Sequence, residues 1–265
     1  IKFYSVDHVG NAETPQELVL HTDMQPPQSS ITIEGRHNDN VLPASSALHI
    51  QASDSLSGLD HIYYSLNGGA VSVYNNKLKA SDLEEGKHSI TYYAKDKAGN
   101  QSETKIMHFA VDKTPPRLAQ DIIGDQYYAR GQAFSSGRSR VRIVAADNRA
   151  GVEAIYYRIN KGKYQKYTEP FYLPMASGKA IIESYAVDHV GNSSETTQQS
   201  NATQQLTYQD LTAPDIAPVF YGPQLSQADT LYISPRTFLQ LRSSDTEAGL
   251  QKIMYSLDGE KPKRY

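Results

Sequence analysis

Tyr93-Ala-Lys-Asp96-Lys-Ala-Gly99-Asn100 is the stretch that decides the fold, because similar octapeptides stand at two other places in the chain. The copies are Tyr4-Ser-Val-Asp7-His-Val-Gly10-Asn11 and Tyr185-Ala-Val-Asp188-His-Val-Gly191-Asn192. Successive copies are separated by 89 and then 92 residues. A motif that recurs at a fixed period indicates an array of similar units, here of about ninety residues each.

A second motif recurs with nearly the same period and divides the chain into repeats. Asp54, Asp147 and Asp245 each stand eight residues before an Ile and twenty before a Tyr. Pro-bearing segments, which restrict the backbone, follow Asp23, Asp112 and Asp210 and mark the linkers. We therefore predict a C-terminal hairpin of a preceding repeat at 1–22, complete repeats at 23–112 and 113–210, and the N-terminal part of a further repeat at 211–265. Incomplete units would leave unpaired strands, so we expect the protein to continue in both directions or something else to complete the ends.

Each repeat has the sequence pattern of short strands. Apolar residues alternate at Leu48, Ile50 and Ala52, which predicts a strand with one buried face. The pairs Asn67-Gly68 and Asp258-Gly259 favour tight hairpins, since these residues accept positive φ. Short strands with frequent turn signals predict an all-β fold of tandem immunoglobulin-like β-sandwich domains in a linear array.

The octapeptide itself is interpreted as a structural turn between two strands. Its Asp can accept backbone N–H groups across the turn, and Gly-Asn suits a tight reversal. The residues assigned this structural role are Asp7, Gly10, Asn11, Asp96, Gly99, Asn100, Asp188, Gly191 and Asn192. His8 and His189 occupy one turn position where the middle copy has Lys97, so we interpret both as surface residues.

Two stretches carry a resemblance to a known family: Ser57-Gly-Leu-Asp-His-Ile-Tyr-Tyr-Ser-Leu-Asn67, and the segment from Glu85 to Asn100. They resemble the bacterial Ig-like repeats of large surface and outer-membrane-associated proteins. They are also similar to the chitobiase/hexosaminidase C-terminal domain family. The resemblance implies an accessory or scaffold module without catalytic residues, located outside the cytoplasm in the bacterial periplasm, the outer membrane or at the cell surface.

Composition excludes several classes of function. A net charge of -3 with interspersed signs provides no basic stripe for nucleic acid. No apolar run approaches the roughly 20 residues of a membrane-spanning helix, so we expect no transmembrane segment in this fragment. Absence of Cys removes disulfides and thiolate sites. No hydrolase, metalloprotease, P-loop or dinucleotide motif is present, so we expect no enzyme and no catalytic residue.

Clustered aspartates suggest calcium as the one ion that the chain could take. In an Ig-like sandwich the loops after the second and sixth strands share a pole with the preceding linker. Oxygen ligands that converge there suit a hard cation. The candidate sets are Asp23 with Asp54 and Asp96, and Asp112 with Asp147 and Asp188. The competing interpretation is that the carboxylate of each Asp accepts hydrogen bonds of its own turn and binds no ion. No other cofactor is expected.

The sequence favours a non-catalytic spacer and interaction array of an exported bacterial envelope or surface protein. Its expected partners are a protein of the envelope or neighbouring repeats of the same protein. The alternative is an adhesin, or an accessory subunit of an outer-membrane complex, whose repeats bind protein or glycan directly. Glycan binding is suggested by two adjacent Tyr pairs, Tyr63-Tyr64 and Tyr156-Tyr157, because one ring of each pair must face outward.

Overall fold

Nearly all regular structure in this protein is extended. A computed structural model describes residues 1–195 and 203–265, with the backbone alone described for 203–205. These residues form short strands and one 3₁₀ turn, Ala80–Asp82, and none of them is α-helical. Among them, no helix has the length and hydropathy that a membrane span requires.

Contacts divide the chain into two compact units. The first unit comprises Ile1–Thr114 with His189–Asn192, and the second unit comprises Pro115–Asp188 with Ser193–Tyr265. Each unit contains one complete sandwich. The predicted repeat boundaries remain predictions, since a division into compact units does not test where a repeat begins.

The first unit contains a terminal hairpin followed by a complete sandwich. Its strands are β1 Lys2–Phe3, β2 Gln16–Glu17, β3 Gln28–Glu34, β4 Val41–Leu42, β5 Ala47–Ser53, β6 Leu59–Leu66, β7 Ser72–Val73, β8 Leu78–Lys79, β9 Gly86–Asp96 and β10 Lys105–Val111. A five-stranded sheet of order β4-β10-β9-β6-β7 and a three-stranded sheet of order β3-β5-β8 enclose the core. The hairpin pairs β1 with β2 alone.

Alternation along the strands builds the core of the first unit. Leu48 and Ile50 on β5 are buried, whereas His49 between them faces the other side. Strand β9 alternates in the same way, with Ile90, Tyr92 and Ala94 inside. Period-two burial is what a half-buried strand of a sandwich requires, so the predicted fold class is confirmed for this unit.

The second unit repeats this plan. Its strands are β11 Arg117–Ile123, β12 Gln126–Ala129, β13 Gln132–Ser136, β14 Arg140–Ala146, β15 Val152–Ile159, β16 Gln165–Lys166, β17 Phe171–Tyr172, β18 Gly178–Asp188, β19 Thr203–Asp210, β20 Asp215–Tyr221, β21 Gln224–Gln227, β22 Thr230–Ile233, β23 Phe238–Ser244, β24 Met254–Tyr255 and β25 Lys263–Arg264. A six-stranded sheet, β12-β13-β19-β18-β15-β16, faces a three-stranded sheet, β11-β14-β17. Val141, Ile143 and Ile182 lie at the centre of the core.

Residues 215–265 form three separate two-stranded sheets: β20 with β23, β21 with β22, and β24 with β25. Their apolar alternation is present, but Leu239 is exposed where its counterparts Leu48 and Val141 are buried. The physical reason is that, among the described strands, β23 pairs only with β20, and the remaining sheets of this segment have two strands each, so no sheet of five or six strands covers Leu239. The strand therefore forms, whereas the burial seen at Leu48 and Val141 is not reached.

Candidate functional site

The octapeptide turn of the first complete repeat is held by the side chain of Asp96. The Asp96 Oδ1 atom accepts the backbone N–H of Asn100 at 2.8 Å, and Oδ2 accepts the Asn100 Nδ2 group at 2.8 Å. The Asp96 backbone N–H donates back to the Asn100 carbonyl at 3.1 Å. Gly99 has φ +94, a conformation that favours glycine. The residue types of the motif are thus explained by local geometry.

The terminal hairpin contains the same turn. Asp7 Oδ1 accepts the backbone N–H groups of Val9 at 3.0 Å and Asn11 at 2.8 Å, and Asp7 Oδ2 accepts Asn11 Nδ2 at 2.7 Å. The backbone bond to Asn11 is the largest cause of a lowered Asp7 pKa. In the third copy, Gly191 again has a positive φ, +95, and Asp188 is buried at the end of β18.

A second aspartate closes the loop that follows β5 in the first complete repeat and the loop that follows β14 in the next. Asp54 Oδ1 accepts the N–H of Leu56 at 3.1 Å and of Gly58 at 2.8 Å. Asp147 bonds its own loop in the same way, through Arg149 at 2.9 Å and Gly151 at 2.8 Å. In each case one carboxylate oxygen accepts two N–H groups of the loop, and in Asp147 the buried Oδ2 atom makes no hydrogen bond.

Asp23 joins the linker to the pole of the first sandwich. Its Oδ2 atom accepts the N–H of Ser57 at 2.9 Å, and its carbonyl oxygen accepts Asn100 Nδ2 at 3.2 Å. Hydrogen bonding by Ser57 is the largest cause of a lowered Asp23 pKa, followed by the N–H of Gln25. Asn100 therefore bonds both its own turn and the linker. Its link to Asp23 and the role of Ser57 were not predicted from the sequence.

The loops and the linker bring one predicted set of aspartates together. One carboxylate oxygen of each of Asp23, Asp54 and Asp96 lies within 4.8 Å of the other two. Asp96 is buried and the other two are half-buried. Oxygens at these separations have the donor chemistry that Ca²⁺ takes. The hydrogen bonds described above also hold Asp23, Asp54 and Asp96 in these positions, so an ion is not required to explain them.

The other predicted set is divided between the two units. Asp112 belongs to the first unit, where its Oδ1 atom accepts the N–H of Thr114 at 3.2 Å and its carbonyl accepts Asn192 Nδ2 at 3.2 Å. Asp147 and Asp188 belong to the second unit. Asp112 and Asp188 are both fully buried. Calcium binding by this set stays a prediction.

A carboxyl pair that the sequence did not predict lies at the last linker. Asp210 Oδ2 accepts the N–H of Ala248 at 2.9 Å, the same type of bond that Asp23 makes to Ser57. A hydrogen bond to Asp210 raises the pKa of Glu247. Desolvation would raise the pKa of Asp210, but the N–H groups of Ala248 and Thr212 outweigh it, so that pKa is lowered. Of the two carboxyl groups, Glu247 therefore releases its proton at the higher pH.

The predicted Tyr pairs each place one ring outside and one inside. Tyr63 stacks on Tyr93 across the strands at 5.2 Å, and Tyr156 stacks on Tyr185 at 5.1 Å. Lys95 lies over the Tyr63 ring. The alternate rings pack inward: Tyr64 lies against the first core and Tyr157 is buried in the second. Both sandwiches therefore present an equivalent, half-exposed aromatic pair.

Residues 72–155 match the sequence model of the bacterial Ig-like domain (group 3). No curated protein matches the chain. Fibronectin(III)-like modules of Clostridium thermocellum CbhA align at 13% identity over 69% of this chain and 94% of theirs, with a TM-score of 0.34.

Extracellular cadherin domains 3–6 of protocadherin gamma B2 align at 13% identity over 76% of this chain, with a TM-score of 0.23, and the chain spans 54% of their length. The likeness to the chitobiase/hexosaminidase domain stays an expectation. Residues 72–155 are thus similar to the bacterial Ig-like domain of group 3, within a chain that folds as tandem Ig-like β-sandwiches.

Proposed function

We propose that the chain is a non-catalytic spacer and interaction array of an exported bacterial envelope or surface protein. The observation that carries this proposal is the attachment of the linkers. Asp23 bonds the loop of the sandwich that follows it through Ser57, and Asp210 makes the equivalent bond to Ala248. Recurrent bonds at a linker favour a defined direction from one repeat to the next, which is what a spacer needs.

Linker stiffness can be measured at Asp23, because the hairpin of residues 1–22 and the sandwich after it lie in one unit. The chain has no Cys, so dyes can be placed specifically on Glu13→Cys and Gln51→Cys. Single-molecule energy transfer should give one narrow distance distribution, and Asp23→Ala should broaden it. Asp82→Ala, at an exposed aspartate of the 3₁₀ turn, is the control. Equal widths in all three proteins would contradict the spacer proposal.

Location is tested separately. Antibodies against residues 1–265 should label intact or outer-membrane-permeabilised bacteria that make the protein, and fractionation should recover it outside the cytoplasm. Recovery in the cytoplasm alone would contradict an envelope role. That result would not affect the assignment of the fold as a tandem array.

The second candidate function is direct binding of an envelope protein or a glycan, as in an adhesin or an accessory subunit. It is favoured by the outward aromatic pairs, because Tyr rings are half-exposed at equivalent positions of both sandwiches. A pull-down from envelope membranes and a glycan array test it. Loss of a captured partner on Tyr63→Ala with Tyr156→Ala, at unchanged melting temperature, would support it. If nothing is captured above background, the binding function is contradicted and the spacer function remains the proposal.

A further inference from the structure

The turn after β6 contains the only Asn-Gly pair of the sequence, Asn67-Gly68. Both residues have positive φ, +53 and +71, and the Gly69 N–H donates to the Leu66 carbonyl at 2.9 Å, as in a type I′ turn. An asparagine amide reacts with the main chain most easily next to glycine, because glycine has no side chain that shields its backbone nitrogen. Asn67 is also exposed to water. The turn therefore has the residue types and the solvent access that deamidation needs.

In the folded chain, the Asn67 side chain takes the place of a main-chain group. The Asn67 N–H donates to the Ser89 carbonyl at 2.8 Å, and its Oδ1 atom accepts the Ser89 N–H at 2.9 Å. In a regular antiparallel pair, the second bond would go to the backbone carbonyl of Asn67. The side-chain oxygen therefore extends the pairing of β6 with β9 by one residue, while the main chain turns towards β7.

The nitrogen end of the same side chain is held as well. Asn67 Nδ2 lies 3.0 Å from His88 Nδ1, and His88 Nε2 lies 2.8 Å from the carbonyl oxygen of Glu84. Because a carbonyl oxygen only accepts, Nε2 of the neutral ring carries the proton and Nδ1 accepts the Asn67 amide. The His88 ring also stacks on the buried Phe109 ring, with 5.4 Å between centroids. Both polar atoms of the Asn67 amide are thus bonded to β9.

The second complete repeat has the same bonds without the glycine. The Asn160 N–H donates to the Ile181 carbonyl at 2.9 Å, and Asn160 Oδ1 accepts the Ile181 N–H at 2.9 Å. The next residue is Lys161, which has φ +63. An asparagine at this repeat position is therefore explained by strand pairing in both sandwiches, and a glycine after it is present only in the first.

We propose that Asn67 is a deamidation site that the folded hairpin protects and that opening of the hairpin exposes. In the reaction, the backbone nitrogen of Gly68 loses its proton and bonds to Asn67 Cγ, and Nδ2 leaves as ammonia. Water then opens the cyclic imide at either carbonyl, which gives aspartate or isoaspartate. Ring closure makes Cγ tetrahedral and expels Nδ2, so it requires the planar amide to leave Ser89 and His88. This site goes beyond the spacer and binding functions, because its conversion records opening of the first unit.

The two products should differ in their effect on the fold. Aspartate keeps an oxygen for the Ser89 N–H, and Asp258 stands at the same repeat position with φ +49. In isoaspartate the main chain runs through Cβ and Cγ, so the group that accepted the Ser89 N–H becomes part of the backbone. The pairing of β6 with β9 then ends one residue earlier, and the first unit should lose stability.

Peptide mapping by mass spectrometry tests the proposal on the full chain. During incubation at mildly alkaline pH, the peptide with Asn67 should convert quickly in urea and slowly in the folded protein. An open state populated at about 0.1–10% slows the reaction about ten- to a thousandfold. Equal rates in the folded and the unfolded chain, or no conversion of Asn67 in urea, would overturn the proposal.

Lys161→Gly is the matched variant, because it creates an Asn-Gly pair with the same two bonds to a neighbouring strand. Glycine accepts the positive φ at this position. Asn160 of this variant should convert in urea at the rate of Asn67 and should be slowed by folding in the same way. If it converts equally fast in the folded protein, these bonds give no protection and the proposal is wrong.

A further variant separates the bond to His88 from folding as a whole. His88→Phe keeps an aromatic ring against Phe109 but removes the acceptor of the Asn67 amide. Where all variants are folded, Asn67 should convert about two- to tenfold faster in His88→Phe, the equivalent of one hydrogen bond, with its rate in urea unchanged. His108→Phe, at an exposed position of β10, is the control and should change neither rate. An unchanged folded rate in His88→Phe would contradict the proposed protection.

Discussion

Asp96 contributes both to the octapeptide turn and to the attachment of the linker. Its carboxylate accepts two donors of Asn100, and Asn100 in turn reaches the carbonyl of Asp23. The side chain is only 2% exposed, so its negative charge depends on these donors for solvation. The turn and the linker are therefore coupled through one aspartate and one asparagine.

Removing the carboxylate of Asp96 should destabilise the first unit. Asp96→Ala leaves the N–H groups of Asn100 without their acceptors, and we expect a loss of about 1 to 3 kcal/mol in the free energy of unfolding. Asp96→Asn keeps one acceptor oxygen and should lose less. Urea unfolding with and without a calcium chelator measures both. A loss seen only when calcium is present would contradict the turn explanation and favour the ion.

The carboxyl pair of Asp210 and Glu247 should make stability depend on pH. A raised folded-state pKa of Glu247 stabilises the fold below the unfolded value of about 4.3, and this stabilisation is lost as pH rises through the folded pKa. The lowered pKa of Asp210 acts oppositely, since its contribution is lost as pH falls through its folded value. Above the unfolded pKa of Glu247, we therefore expect Glu247 to weaken the last linker as pH rises.

The variant Glu247→Gln tests this expectation, because an amide holds its protons at every pH. Its melting temperature should fall less between mild acid and neutral pH than that of the unchanged chain. Glu260→Gln, at an exposed acid that pairs with Lys263, is the control and should retain the original pH dependence. Parallel pH curves for all three proteins would contradict a raised pKa of Glu247 in the folded protein.

In all three repeats, a glycine that follows one strand contacts the residue directly before the strand that pairs with it. The glycines after β3, β11 and β20 approach Ser46, Ser139 and Thr237, which stand at one repeat position. A Cβ on Gly124 would lie 3.1 Å from the Ser139 Cα atom, and one on Gly222 would lie 3.2 Å from the Thr237 Cα atom. The turn and the following strand therefore pack backbone against backbone, which only glycine permits.

Gly124→Ala should destabilise the second unit more than Gly131→Ala. Both glycines have positive φ, +120 and +75, so both substitutions strain the backbone. A Cβ on Gly131 would meet no atom within 4 Å, whereas one on Gly124 meets the backbone of Ser139. The difference between the two free energies of unfolding isolates the clash. Equal losses would mean that the chain relaxes around the added methyl group.

At the scale of the whole molecule, each unit has its own core. The first is built around Leu48, Ile50 and Ile90, and the second around Val141, Ile143 and Ile182. Repeat proteins whose units bury separate cores have stabilities that are approximately sums over units. A substitution that destabilises one core should therefore destabilise mainly the unit that contains it.

Truncation of one buried side chain per unit tests this. Ile50→Ala should lower the stability of the first unit by about 2 to 5 kcal/mol, because it leaves a cavity. Hydrogen exchange, read peptide by peptide, should show loss of protection in β3–β10 and unchanged protection in β11–β18. Ile143→Ala should give the mirror result. Loss of protection in both units with either variant would show one cooperative core instead.

The sequence by itself determined the all-β class, the repeat and the turns, because these depend on neighbours in the chain. Alternation at Leu48 and Ile50 specifies a buried strand face, and the spacing of Asp96 and Asn100 places an acceptor beside its donor four residues later. The convergence of Asp23, Asp54 and Asp96 was also predicted, since the order of strands in such a sandwich brings those loops to one pole.

Only the tertiary structure decided the contacts between distant residues. Asn100 bonds to Asp23, Glu247 pairs with Asp210, and Gly124 packs on Ser139 because folded sheets bring these segments together. No pattern among neighbouring residues in the sequence specifies which distant residues will be in contact. The same reason explains Leu239: alternation predicts which way a side chain points, but burial requires a second layer, and the layer is supplied only when another sheet packs against the strand.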